Sequence, residues 1–228
     1  MFYHVLGSGV PWTNSEMLRE HYIAELEQTR SALLDMGLLA EKALNGALGS
    51  LTKSDRTAAE PVRGLEEKID VCHNEIYERC LSLMTLQAPV AGDARLITGV
   101  LGSIVDLKAI GDYADEIAQF ALGMQSRPVS AALNELAEVE KKVEDLLARA
   151  LESWRNLDRT VGLSIRPMQT VVKDDCQRLI EKFTTMTVSS RDNSPYVGMI
   201  LVCKYLERIA VHSVNVGEQA AFAAPSYT

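Results

Sequence analysis

Two short runs of acidic residues carry the spacing that chemistry would need. Glu66 and Asp70 lie four residues apart, and Asp112 and Asp115 three apart. Both pairs fall inside stretches with helical apolar periodicity. Residues three or four apart share one face of a helix. Two such helices side by side turn four carboxylates onto one space, the donor set that helical sites use for an oxygen-seeking cation. If a divalent or ferric metal ion binds, Glu66, Asp70, Asp112 and Asp115 are the expected ligands, with His73 a weaker candidate on the same face. The competing reading is a solvated acidic surface. In that reading Lys108, four residues before Asp112, neutralises it as an exposed ion pair of about 0–1 kcal/mol.

Other chemistry is poorly supported. There is no Gly-x-Ser-x-Gly and no His-Glu-x-x-His, and no cysteine is placed beside a histidine by spacing. A di-metal oxidase would need Glu-x-x-His on two helices, but Asp70 precedes His73 at that spacing and Ile209 precedes His212. Gly7-Ser8-Gly9 is no phosphate loop, because no strand leads into it and no Gly-Lys-Ser/Thr follows. The chain is therefore expected not to be an enzyme. Cys72, Cys80, Cys176 and Cys203 form no Cys-x-x-Cys pair and sit in helical patterns, as reduced, buried thiols do.

Composition narrows the partners. A net charge of −8 over 228 residues disfavours nucleic acid and a polybasic membrane anchor. The apolar runs are short and interrupted, whereas a spanning helix needs about 20 apolar residues. No basic region followed by an apolar block opens the chain, so a secretory signal is not expected.

The elements that must position the carboxylates are helices. Residues 1–16 contain Gly7, Gly9 and Pro11 and show no period, which predicts an irregular extension before Met17. Ile23, Leu26, Leu33, Ala40, Leu44, Ala47 and Leu51 then mark a first helix, its stripe broken at Arg30 and Gly37. Lys53-Ser54-Asp55 closes it and offers the next N-cap. Leu65 to Leu83 mark a second helix, and Ile97 to Ala121 a third that starts near Asp93 and is rich in small residues. Leu133 to Leu157, Val172 to Met186 and about Tyr196 to Phe222 mark three more, with Glu140 breaking the fourth stripe. Trp154 falls at a core position. Asp158-Arg159-Thr160 reads as a short turn, residues 189–195 as a polar loop and residues 223–228 as a frayed tail. The third and sixth helices align without gaps, placing Asp93 on Asp192, Leu107 on Leu206 and Ile110 on Ile209. The expected fold is all-α: six helices in two tandem antiparallel three-helix bundles, spanning 17–125 and 128–222.

Several segments resemble the PhoU family. Gln87-Ala88-Pro89-Val90-Ala91-Gly92-Asp93-Ala94-Arg95-Leu96 is similar to the family's entry to its third helix, and Ile104 to Asp115 resembles its first acidic box. Tyr205-Leu206-Glu207-Arg208-Ile209-Ala210-Val211-His212-Ser213-Val214-Asn215-Val216 resembles the second box. Arg19-Glu20-His21-Tyr22 is also family-like, so the resemblance runs from about Met17 to Ala221. It implies a cytoplasmic adaptor, peripheral at the inner face of the membrane through its partners. Those partners would be a phosphate ABC transporter ATPase and a sensor histidine kinase, and the effect would be to repress the phosphate-starvation response. It also implies acidic helix motifs able to hold metal ions.

The chain departs from that pattern. Lys108 stands where the family usually has Glu, Val211 where it has Asp, and Gln169 and Lys173 where the fifth helix should carry carboxylates. Each change removes negative charge that a cation requires. His212 and Asn215 are then expected to be hydrogen bonders between the repeats, and Arg95 to brace Asp93. The alternative function is a diverged helical metal-binding or scaffold protein without a phosphate role. A homodimer is compatible with the pattern, which does not dictate one.

Overall fold

The computed structural model describes residues 14–52, 56–86, 89–124, 130–189 and 194–225. Within them the chain forms six long helices and two short ones: α1 (Asn14–Thr52), α2 (Arg56–Ala59), α3 (Val62–Leu86), α4 (Ala91–Gly123), α5 (Ser130–Asn156), α6 (Arg159–Ser164), α7 (Arg166–Ser189) and α8 (Ser194–Ala223). Helices α1, α3 and α4 pack as one three-helix bundle, and α5, α7 and α8 as the other. The two bundles join chiefly where α4 lies on α8, with α1 against α5 beside it. The all-α duplicated fold expected from the periodicity is the fold observed.

Each long helix buries most of the stripe its sequence carries, although Ile23, expected in the α1 stripe, stays exposed. Leu33, Met36, Ala40, Leu44 and Ala47 of α1 are fully buried, as are Val100, Ile104, Leu107, Ile110 and Ala114 of α4. Removing these side chains from water is the main favourable term in folding. The fold thus rests on apolar faces spaced for helices.

The two breaks in the α1 stripe have a common cause. A Cβ on Gly37 would overlap the Leu151 side chain of α5, so this glycine lets the two helices cross closely. Arg30 Nη1 reaches the carbonyl oxygens of Trp154 at 3.1 Å and Arg155 at 3.0 Å. These belong to the last turn of α5, whose carbonyls lack partners within the helix. Leu157 follows at φ 47°, and the Asp158 N–H donates back to the Ser153 carbonyl at 3.0 Å, the pattern of a Schellman end.

Several boundaries differ from expectation. The turn at Asp158 starts a helix instead: its carboxylate accepts from the N–H groups of Thr160 at 2.8 Å and Val161 at 3.1 Å and caps α6. Helix α1 begins at Asn14, so the last three residues of the predicted irregular extension are helical. The tail is not frayed at its start, since Ala223 and Ala224 are buried and the Ala224 N–H donates to the Ala220 carbonyl at 2.9 Å. Residues 1–13, the Lys53-Ser54-Asp55 cap, residues 125–129 between the halves, residues 190–193 of the polar loop and residues 226–228 lie outside the described segments.

Candidate functional site

The carboxylate pair of α3 meets Asp112 of α4 where a glycine brings the helices together. A Cβ on Gly111 would come within 2.9 Å of Ile69 Cδ1. With no side chain at 111, α3 lies close enough for Glu66 and Asp70 to face Asp112. Ligand oxygens of these three residues all lie within 4.8 Å of one another.

The fourth expected ligand stands apart. Asp115 is buried, accepts a hydrogen bond from Gln119 and has Arg63 Nη1 at 3.9 Å. His73 also lies outside the group, against Asn74 at 3.2 Å and stacked on the Tyr77 ring at 6.5 Å.

The space between the three carboxylates is served by Lys108. Its Nζ donates to Asp70 Oδ1 and lies 3.6 Å from Asp112 Oδ1, so the ammonium bridges α3 and α4 as well as neutralising Asp112. Burial pushes the Glu66 carboxyl above its ordinary range. Repulsion from Asp70 and Asp112 adds to this, and Lys108 opposes it. Burial also disfavours the Lys108 ammonium. Its hydrogen bond to Asp70, with attraction from Asp112, Asp70 and Glu66, more than offsets that and raises its pKa. Lys108 is therefore charged at neutral pH. With an ammonium between them, these donors do not fit an added metal ion.

In the second half, Glu207 pairs with Lys204 of its own helix at 2.8 Å. The nearby acid on α7, Asp175, is buried and takes Lys142 and Arg178 as partners. Burial alone would raise the Asp175 carboxyl, but the two cations hold it below its ordinary range. Among the described residues, the only group of three or more ligating side chains is Glu66, Asp70 and Asp112.

The two box segments meet at the seam between α4 and α8. Asp106 Oδ1 receives His212 Nδ1 at 2.7 Å and Asn215 Nδ2 at 2.9 Å. The Tyr113 ring lies 5.8 Å from that of His212 and 5.6 Å from that of Tyr205. His212 and Asn215 thus join the halves, as expected. Their acceptor Asp106 was missed, because a polar residue at a core position does not say which helix lies opposite. At the α4 entry Asp93 is held by the fork of Arg19, at 2.7 and 3.1 Å, and accepts from the Val90 N–H at 3.2 Å.

The thiols offer no nucleophile. Burial pushes Cys80 up to about 11 and Cys176 up to about 12 and raises Cys72 and Cys203 as well, so none is a thiolate at neutral pH. No described helix is long and apolar enough to cross a membrane.

These features define a class: duplicated helical-bundle proteins in which each half contributes one box-bearing helix to a shared seam. The PhoU domain pattern matches residues 33–121 and 136–220, one match in each half. A phosphate-specific transport system accessory protein PhoU homolog of Pseudomonas putida is 32% identical over 211 residues, covering 90% of this chain and 82% of that protein. One of Synechocystis is 28% identical over 204 residues, covering 90% and 91%. The crystal structure of PhoU from Pseudomonas aeruginosa superposes with a TM-score of 0.84 at 29% identity, over 89% of this chain and 98% of that one. The chain belongs to the PhoU family.

Proposed function

We propose that this protein is a non-catalytic regulator of phosphate uptake that represses the phosphate-starvation response when phosphate is plentiful. It acts through protein contacts with a phosphate ABC transporter ATPase and a sensor histidine kinase. It works in the cytoplasm, held at the inner face of the membrane by those partners. The carrying observation is the family match across both halves. Relatives that cover nine-tenths of the chain bear the name of phosphate-transport accessory proteins. The raised thiol pKa values support a role without nucleophilic chemistry. Long helices with charged outer faces suit docking to partner helices.

The test is a phosphate-starvation reporter in a deletion strain grown in phosphate-rich medium. High output, returned to low by the gene, is the expected result. Low output in the deletion would favour the second reading, a helical scaffold without a phosphate role. The observation behind that reading is the replacement of family carboxylates by Lys108 and Val211.

A further inference from the structure

We propose that Lys108 is the built-in cation of the α3–α4 carboxylate cluster, so that this chain needs no metal there. Removing that one amine would open the site to an oxygen-seeking divalent ion. Three carboxylates with oxygens within 4.8 Å of one another, two part-buried and Asp112 exposed, repel one another. A positive group among them relieves that repulsion. The ammonium on α4 meets that need: it bonds Asp70 across the helix pair and stands 3.6 Å from Asp112. An ammonium supplies three donors from a single point of charge. It thus replaces the charge of a cation without demanding fixed coordination geometry.

The same geometry explains why a metal is excluded. Lys108 is tethered four residues before Asp112, with its side chain about one-third exposed. An ion bound by Glu66, Asp70 and Asp112 would force the ammonium off Asp70 while leaving a like charge close by. The three carboxylates carry three negative charges and Lys108 cancels one. Without the amine the full charge faces the incoming ion, in the all-oxygen environment that suits manganese or magnesium. This inference concerns the chain's own residues and stands whether or not the phosphate reading holds.

The test titrates Mn2+ into the full-length protein, its Lys108→Gln variant and its Lys108→Glu variant. Calorimetry and the loss of the free-Mn2+ electron paramagnetic resonance signal are the readouts, and circular dichroism checks folding. Both variants are expected to bind one Mn2+ at least about ten-fold more tightly than the unaltered protein, a difference of about 1.4 kcal/mol. Adding Asp112→Asn to Lys108→Gln should remove the gain. Two results would overturn the proposal. One is unaltered protein that binds Mn2+ as tightly as the variants. The other is a folded Lys108→Gln variant that binds no better than the parent. Should Lys108→Glu fail to fold under its added charge, the neutral Lys108→Gln decides the matter alone.

Discussion

Asp106 of α4 and His212 of α8 lie 2.7 Å apart, although 106 residues separate them in sequence. The carboxylate can only accept when ionised, so the imidazole Nδ1 donates to it. Asn215 donates to the same oxygen at 2.9 Å. One acidic side chain of the first half therefore satisfies two polar side chains of the second. Such a group fixes the rotation and register of α4 on α8, because a buried donor without its acceptor is expensive.

Asp106→Ala should destabilise the protein by about 2–3 kcal/mol, since it strands two part-buried donors at once. Urea unfolding measures it. A double-mutant cycle with Asn215→Ala should show a coupling of about 0.5–3 kcal/mol. Strict additivity would mean the two side chains do not act as one unit.

Trp154 offers an independent check on the seam. Its indole is fully buried, and Nε1 donates to Ser103 Oγ at 3.0 Å and to the Val216 carbonyl at 3.1 Å. Trp154→Phe keeps an aromatic ring but removes the donor and leaves space behind. A loss of about 2–4 kcal/mol is expected, against about 1 kcal/mol for Ser103→Ala.

Glycines separate tight from open helix contacts. A Cβ on Gly162 would overlap the carbonyl oxygen of Gly217, which is backbone and cannot swing aside. Gly64 on α3 has nothing within 4 Å of the corresponding point. Gly162→Ala should lower stability by about 1–3 kcal/mol, whereas Gly64→Ala should raise it by up to about 1 kcal/mol through helix propensity. Thermal melting of the two variants side by side would read opposite signs.

Acid sensitivity follows from Asp93. The hydrogen bonds from Arg19 hold its carboxyl below the ordinary value of 3.8. A depressed folded-state pKa means the stabilisation is fully present above the ordinary value and disappears as pH falls through the depressed one. Arg19 is partly exposed, so the contribution is about 1 kcal/mol once solvent screening is allowed for. Asp93→Asn should weaken the protein by that amount at pH 7. Urea midpoints of the two proteins should converge as pH falls through the depressed folded-state value, below which both carry a neutral side chain.

The fold was legible because most stripe positions are apolar at helical spacing, and that spacing survives any arrangement of the helices. What the sequence withheld was pairing between distant elements. Arg30 and Gly37 appear in the pattern as faults, yet they mark the crossing of α1 and α5. At the α4 entry, the fork on Asp93 comes from Arg19, 74 residues away, a partner that local spacing could not name. The four-carboxylate set rested on shared helix faces, and spacing brought three of its members together. Asp115 lies three residues beyond Asp112, far enough round the helix for Gln119 and Arg63 to be its partners. The bridging role of Lys108 depended on the distance between α3 and α4, which Gly111 sets.

The placement of Trp154 has a mechanical consequence. A large ring on α5, bonded to α4 of the first bundle and to α8 of its own, acts as a rivet between the halves. Helix α1 is tied to α5 beside it through Arg30. Proteins gripping opposite bundles would thus be held as on a rigid spacer, at a set separation and orientation.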